Sequence, residues 1–251
     1  MFLEMNSKII LISAIGGIII VLTILLSGII TITPFITFDE VFSSQQLRDW
    51  NLQDESLMVI TPLLTANAYR NGAFYNYFRG ECNEECLTIS INQNENYVYT
   101  SSLSGVELFK RLNATMIDDW EFSKNTWVIK EYDVIVILHN EYVTREMFDA
   151  LQEHPNVIYL YPNALYGEIE ITDKNMTLIQ GHQYKNKTNG FDWEFENTHP
   201  FEYDIQCDDW EYYPIKNGKM LNCYPELALM IKPEILMPII ANAKGYIIIN
   251  P

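Results

Sequence analysis

The chain is 251 residues long, with 33 acidic and 16 basic side chains, a net charge of −17 and a pI near 4.5. So acidic a surface is repelled by phosphate backbones, which excludes nucleic acid as a partner. Its four cysteines and three N-x-S/T sequons all follow the first apolar segment.

Residues 9–33 (IILISAIGGIIIVLTILLSGIITIT) carry no charged side chain, and a bilayer-spanning helix needs only roughly 20 apolar residues. No Ala-x-Ala-like cleavage site follows, so the pattern predicts an uncleaved signal anchor rather than a removed leader. The expected organisation is a cytoplasmic tail over 1–8, a transmembrane helix over 9–33, a juxtamembrane linker over 34–56, and an extracytoplasmic domain over 57–251. Lys8 and the amino terminus before the segment, against Asp39 and Glu40 after it, place the N-terminus inside. The expected address is the cell membrane, crossed once, with surface proteins or glycans as partners.

The cysteines fall as Cys82/Cys86 and Cys207/Cys223. Three connectivities are open, and pairing within each local pair is preferred because the partners are nearest in sequence. The rival is a four-thiolate zinc site, whose usual spacings are tighter than C-x3-C. With the sequons at Asn113, Asn175 and Asn186, paired cysteines fit a glycoprotein in an oxidising compartment.

In the outer domain, Leu57–Thr61 is a short β-branched run ended by Pro62, and Leu87–Ile91 alternates like a half-buried strand. Residues 103–112 predict a short helix, with Ser104 as N-cap and Glu107 completing a capping box. Asp118-Asp119 and Asp208-Asp209 read as solvated acidic turns, since neither has the alternating ligands of a calcium loop.

The clearest unit is 131–168. Val134–Leu138 is a continuous apolar strand signal, Thr144 can cap a helix with Met147, Phe148 and Leu151 inward, and Val157–Tyr161 is a second buried strand. Strand, helix and strand make a βαβ unit, so the expected fold is α/β with a mainly parallel sheet in three layers. Glu168–Thr172 and Thr177–Gln180 read as a hairpin added at one side, and 246–251 as a last strand. Residues 181–226 are rich in aromatics, Trp193 and Trp210 among them, and read as a disulfide-pinned excursion that could stack on sugars.

Open α/β sheets bind ligands beyond the carboxyl ends of their strands. Two loops qualify, His139-Asn140-Glu141-Tyr142 and Pro162-Asn163-Ala164-Leu165-Tyr166-Gly167-Glu168. The first offers an imidazole, a carboxylate and a phenol, usable as acid/base groups or hard-metal ligands. The plainer reading is helix-entry hydrogen bonding by His139 and Glu141, with Tyr142 packed beneath. His154, His182 and His199 fit no metal-ligand spacing, and His154 reads as a helix-end residue.

The run YDVIVILHNEYVTREMFDAL followed by NVIYLYPNALYGE resembles the class I glutamine-amidotransferase-like fold. It is closest to the C-terminal domain of the N,N-dimethylformamidase large subunit family. His139, Glu141 and Tyr142 match a His-x-Glu-Tyr turn, and Asn163 and Tyr166 match the second motif. The whole chain is also similar to uncharacterised membrane-anchored archaeal proteins. The resemblance implies an iron-dependent amide (C–N) hydrolase with tyrosine and glutamate ligands, Tyr142 being the candidate on the matched motif. The chain departs from the pattern in two places. The turn Tyr161-Pro162-Asn163-Ala164 has no cysteine or serine nucleophile, and Tyr161 and Pro162 stand where the family has paired glycines. The first expectation is therefore a non-catalytic domain with a binding or assembly role and no cofactor. The alternatives are the metal-dependent hydrolase, with iron, and a carbohydrate-binding module using Trp193 and Trp210.

Overall fold

The computed structural model describes residues 43–181, 184–186, 190–191 and 205–245. All that follows concerns the unit spanning 41–251. Helix α1 (Ser44–Asp49) opens it; Ser43 and Gln46 form a reciprocal capping box, so part of the expected linker is helical. Then come β1 (Leu57–Thr61), α2 (Leu63–Tyr69), α3 (Phe74–Phe78), β2 (Thr88–Ser90), α4 (Leu103–Arg111), β3 (Thr115–Asp118) and α5 (Asp119–Lys124). The second half holds β4 (Val134–Ile137), β5 (Tyr142–Val143), α6 (Arg145–Glu153), β6 (Val157–Tyr159), β7 (Gly167–Thr172) and β8 (Asn175–Gln180). It ends with β9 (Tyr212–Ile215), β10 (Gly218–Leu221), α7 (Glu226–Ile231) and α8 (Met237–Ala243).

Two sheets form, in the orders β3-β1-β4-β6-β10-β9 and β2-β8-β7-β5. In the larger, β3, β1, β4, β6 and β10 run parallel and β9 is antiparallel to β10. Its inner strands β1, β4 and β6 are buried throughout, as their unbroken apolar runs predict. The smaller sheet pairs β2 with β8 and β8 with β7 antiparallel, and β5 with β7 parallel.

This corrects the expected architecture. Over the described residues the fold is mixed α/β with two mixed sheets, not one mainly parallel three-layer domain. The hairpin of β7 and β8 does not extend the main sheet. The chain turns away after β4 at residues 139–141, and the short β5 starts a second sheet there. Among the described residues no helix is long and apolar enough to cross a membrane, and residues 9–33, expected to do so, lie outside the described residues. Part of the expected aromatic excursion, β9 and β10, is main-sheet structure. The expected strand at 246–251, together with Trp193, His182 and His199, lies outside the described residues.

Several local expectations hold. Thr144 caps α6 by accepting from Met147 N, and Met147 and Leu151 are buried. His154 is buried at the end of α6, with both ring nitrogens in hydrogen-bond contact, to Tyr132 O and Asn156 N. Cys82–Cys86 and Cys207–Cys223 are disulfides, and the second brackets the β9–β10 hairpin. Asn113, Asn175 and Asn186 are exposed.

Two expectations fail for long-range reasons. Helix α4 is not capped by Ser104: its N-cap is Ser102, in left-handed backbone conformation, and the Ser104 amide donates to the Glu226 carboxylate from α7. The Asp118-Asp119 pair is not uniformly solvated. Asp118 caps α5 by accepting from Glu121 N, while Asp119 is fully buried.

Candidate functional site

Beyond the carboxyl end of β4, residues 139–141 turn from the main sheet into β5, and the turn's backbone is held on every side. The His139 amide donates to Ser102 Oγ (2.8 Å), and the Glu141 amide to Thr65 Oγ1 on α2 (2.9 Å). The Leu165 amide donates to Asn140 O, and the Tyr166 and Gly167 amides to Glu141 O, each at 2.8 Å. The two loops singled out in the sequence are therefore one bonded assembly, at the strand edge where α/β sheets place ligands.

The side chains of the turn point into a polar cluster. Glu141 is 0% exposed, and two phenols from neighbouring helices meet it. Tyr69 Oη, at the end of α2, donates to Glu141 Oε2 at 3.1 Å. Tyr75 Oη, on α3, lies 3.0 and 3.1 Å from the two carboxylate oxygens and 2.8 Å from Tyr69 Oη. The phenol rings stack at 4.0 Å. Two protons are thus shared among four oxygens. Burial first, then the Glu141 charge, raises the phenol pKa values of both Tyr69 and Tyr75, so both hydroxyls stay protonated at neutral pH.

His139 is 1% exposed, and its Nε2 lies 3.8 Å from Glu141 Oε2. Its Nδ1 is 2.6 Å from Thr100 O and 3.0 Å from Tyr224 Oη, which itself donates to Thr100 O. A carbonyl can only accept, so Nδ1 carries a proton. In the neutral ring this turns the Nε2 lone pair toward the Glu141 side, an arrangement that favours a proton or another cation between them. The imidazole stacks on Tyr161 at 5.3 Å.

Tyr142 is fully buried, its ring edge-on to Phe74 at 5.1 Å; burial, then the Glu141 charge, raises its pKa. It packs beneath the turn as the plainer sequence reading has it, within the same electrostatic cluster. Asn163 Oδ1 is buried without a hydrogen-bond partner among the described residues, and Tyr166 is half-buried. Trp210 packs edge-on against Tyr212 at 6.1 Å, on the hairpin side.

A second buried carboxylate, Glu226, accepts from Tyr161 Oη at 2.7 Å and from Ser104 N at 3.0 Å. Burial pushes its pKa up to about 7. A third, Asp119, accepts from Leu64 N at 2.8 Å and Asn140 Nδ2 at 3.1 Å, and burial raises its pKa too.

Among the described residues, no three of His, Cys, Asp and Glu converge as a ligand set. The converging donors are two phenols and one carboxylate, with an imidazole behind. The sequence reading singled out His139, Glu141 and Tyr142, and the structure sets Tyr69, Tyr75, Tyr161, Tyr224, Asp119 and Glu226, which that reading did not single out, around them. A signal for two of these was present. Tyr69 and Tyr75 follow β1, itself recognisable as a buried strand, so both belong to the carboxyl edge that β4 reaches. No protein-family model matches the chain, and no curated protein matches it.

Proposed function

We propose that the domain is a metal-dependent hydrolase of amide-like C–N bonds that holds a hard cation between Tyr69, Tyr75 and Glu141. The observation that carries the reading is the triangle formed by Tyr69 Oη, Tyr75 Oη and Glu141 Oε2, with edges of 2.8, 3.1 and 3.1 Å. Adjacent ligands on an octahedral cation with bonds of about 2.0–2.1 Å lie about 2.9 Å apart, so the three oxygens can share one ion once the phenol protons leave. Phenolate and carboxylate are hard donors, suited to iron(III) more than to soft metals. When bound, such an ion supplies Lewis-acid polarisation of a carbonyl oxygen or a more acidic water. The bonds around His139 support a part for the chain's own residues. Thr100 O fixes the protonated nitrogen of His139, leaving Nε2 beside the triangle to take or return a proton. The C–N bond class rests on the resemblance carried by His139-x-Glu141-Tyr142.

A second reading, a non-catalytic binding domain, is favoured by the full burial of Glu141 and His139. The same oxygen distances then serve hydrogen bonds alone. Metal analysis of the purified full-length chain, before and after incubation with iron(III), separates the two. The hydrolase reading expects about one ion per chain, lost in Tyr75→Phe and in Glu141→Gln. A folded chain that takes up no ion sinks it and leaves the binding domain.

A further inference from the structure

Asp119 is a carboxylate with no exposure, and its two oxygens are divided between two elements of the site. Oδ1 takes the amide of Leu64, in the first turn of α2. Oδ2 takes Nδ2 of Asn140, the residue between His139 and Glu141. Helix α2 delivers Thr65, whose hydroxyl accepts the Glu141 amide, and Tyr69, whose phenol meets the Glu141 carboxylate. One buried group therefore ties the helix that carries one ligand to the turn that carries another.

We infer that Asp119 is a positioning residue that holds the Tyr69-bearing helix and the Glu141-bearing turn in register for cation binding. The inference rests on the cation reading and deepens it. Both of its donors are N–H groups, and they reach the same side chain from different elements. Asp119→Ala removes both acceptors at once, whereas an isosteric amide would not, because Asn140 can turn its own Oδ1 toward the new side-chain nitrogen. Loss of an outer partner that orients metal ligands lowers affinity by 10–100-fold.

The test compares the full-length wild type with Asp119→Ala and Asn140→Ala, the latter cutting only the turn side of the clamp. Iron(III) is supplied from a nitrilotriacetate complex and binding is followed by the visible phenolate-to-iron absorbance. Ile129→Val, a core change away from the clamp, reports the effect of lost stability alone. The expected result is 10–100-fold weaker binding in both clamp variants and unchanged binding in the control. Backbone hydrogen exchange without metal is the second readout, with the Leu64 and Glu141 amides exchanging faster in Asp119→Ala. Affinity within about twofold of wild type, or unchanged exchange at both amides, overturns the positioning role. Should the wild type bind no iron, the cation reading fails, and exchange alone decides whether Asp119 positions the turn.

Discussion

Replacing Glu226 by glutamine is expected to remove a pH dependence from the stability of the fold. Glu226 has no exposure, and burial moves its pKa from 4.5 up to about 7, against the smaller opposing pull of hydrogen bonds from Ser104 and Tyr161. The folded state therefore keeps a proton between pH 4.5 and 7 that the unfolded chain has released. The stability this group contributes is fully present below pH 4.5 and is lost as pH rises through about 7. A shift of that size, at about 1.4 kcal/mol per unit, corresponds to about 3 kcal/mol across the window. Glutamine has no charge to desolvate, and its carbonyl can still accept the Ser104 amide. Urea denaturation of the two proteins from pH 4 to 8.5 yields the difference in unfolding free energy, in which the other titrating groups cancel. That difference should move by about 3 kcal/mol in favour of the variant as pH rises. A difference flat to within about 0.5 kcal/mol would refute the argument.

Gly167→Ala should destabilise the fold. The added Cβ would lie 2.6 and 2.8 Å from the ring of Tyr142, which is fully buried and cannot swing aside; overpacking of this kind costs about 1–3 kcal/mol, and calorimetry should show Tm falling by several degrees. Removing the Cys207–Cys223 bridge, which spans a separation of 16, should cost about 3 kcal/mol in the chain-entropy model. Removing Cys82–Cys86, separated by 4, should cost about 2, so equal losses in matched denaturation curves would count against a loop-length origin.

The local grammar of the chain was legible. β4 and β6 declare themselves as unbroken apolar runs, and Thr144 sits three residues before the amide it caps. What was not legible depends on partners far away in sequence. The Ser104 amide is satisfied by Glu226, 122 positions on, so the local capping-box pattern misled. Asp118 and Asp119 look alike in sequence and take opposite fates. Asp118 caps with Glu121 three residues on, which puts the next residue at the first helical position, facing Leu64 and Asn140. Tyr69 and Tyr75 sit in a segment of apolar and aromatic residues, where a phenol reads as core. Only the approach of Glu141, 72 and 66 positions later, makes them a site.

The cluster is also the costliest part of the fold to keep. Glu141, Glu226 and Asp119 are all buried carboxylates, and the hydrogen bonds described above for them come from phenols and amides. Buried charge of this kind rarely adds net stability, because well-packed apolar residues of similar size do as well or better. The three also share one edge: Glu226 reaches Tyr161, Tyr161 stacks on His139, His139 faces Glu141, and Asp119 holds the residue between them. Stability alone gives no reason to gather three carboxylates, an imidazole and five phenols at the carboxyl end of β1, β4 and β6. On the cation reading proposed above, a bound ion would offset the desolvation of Glu141.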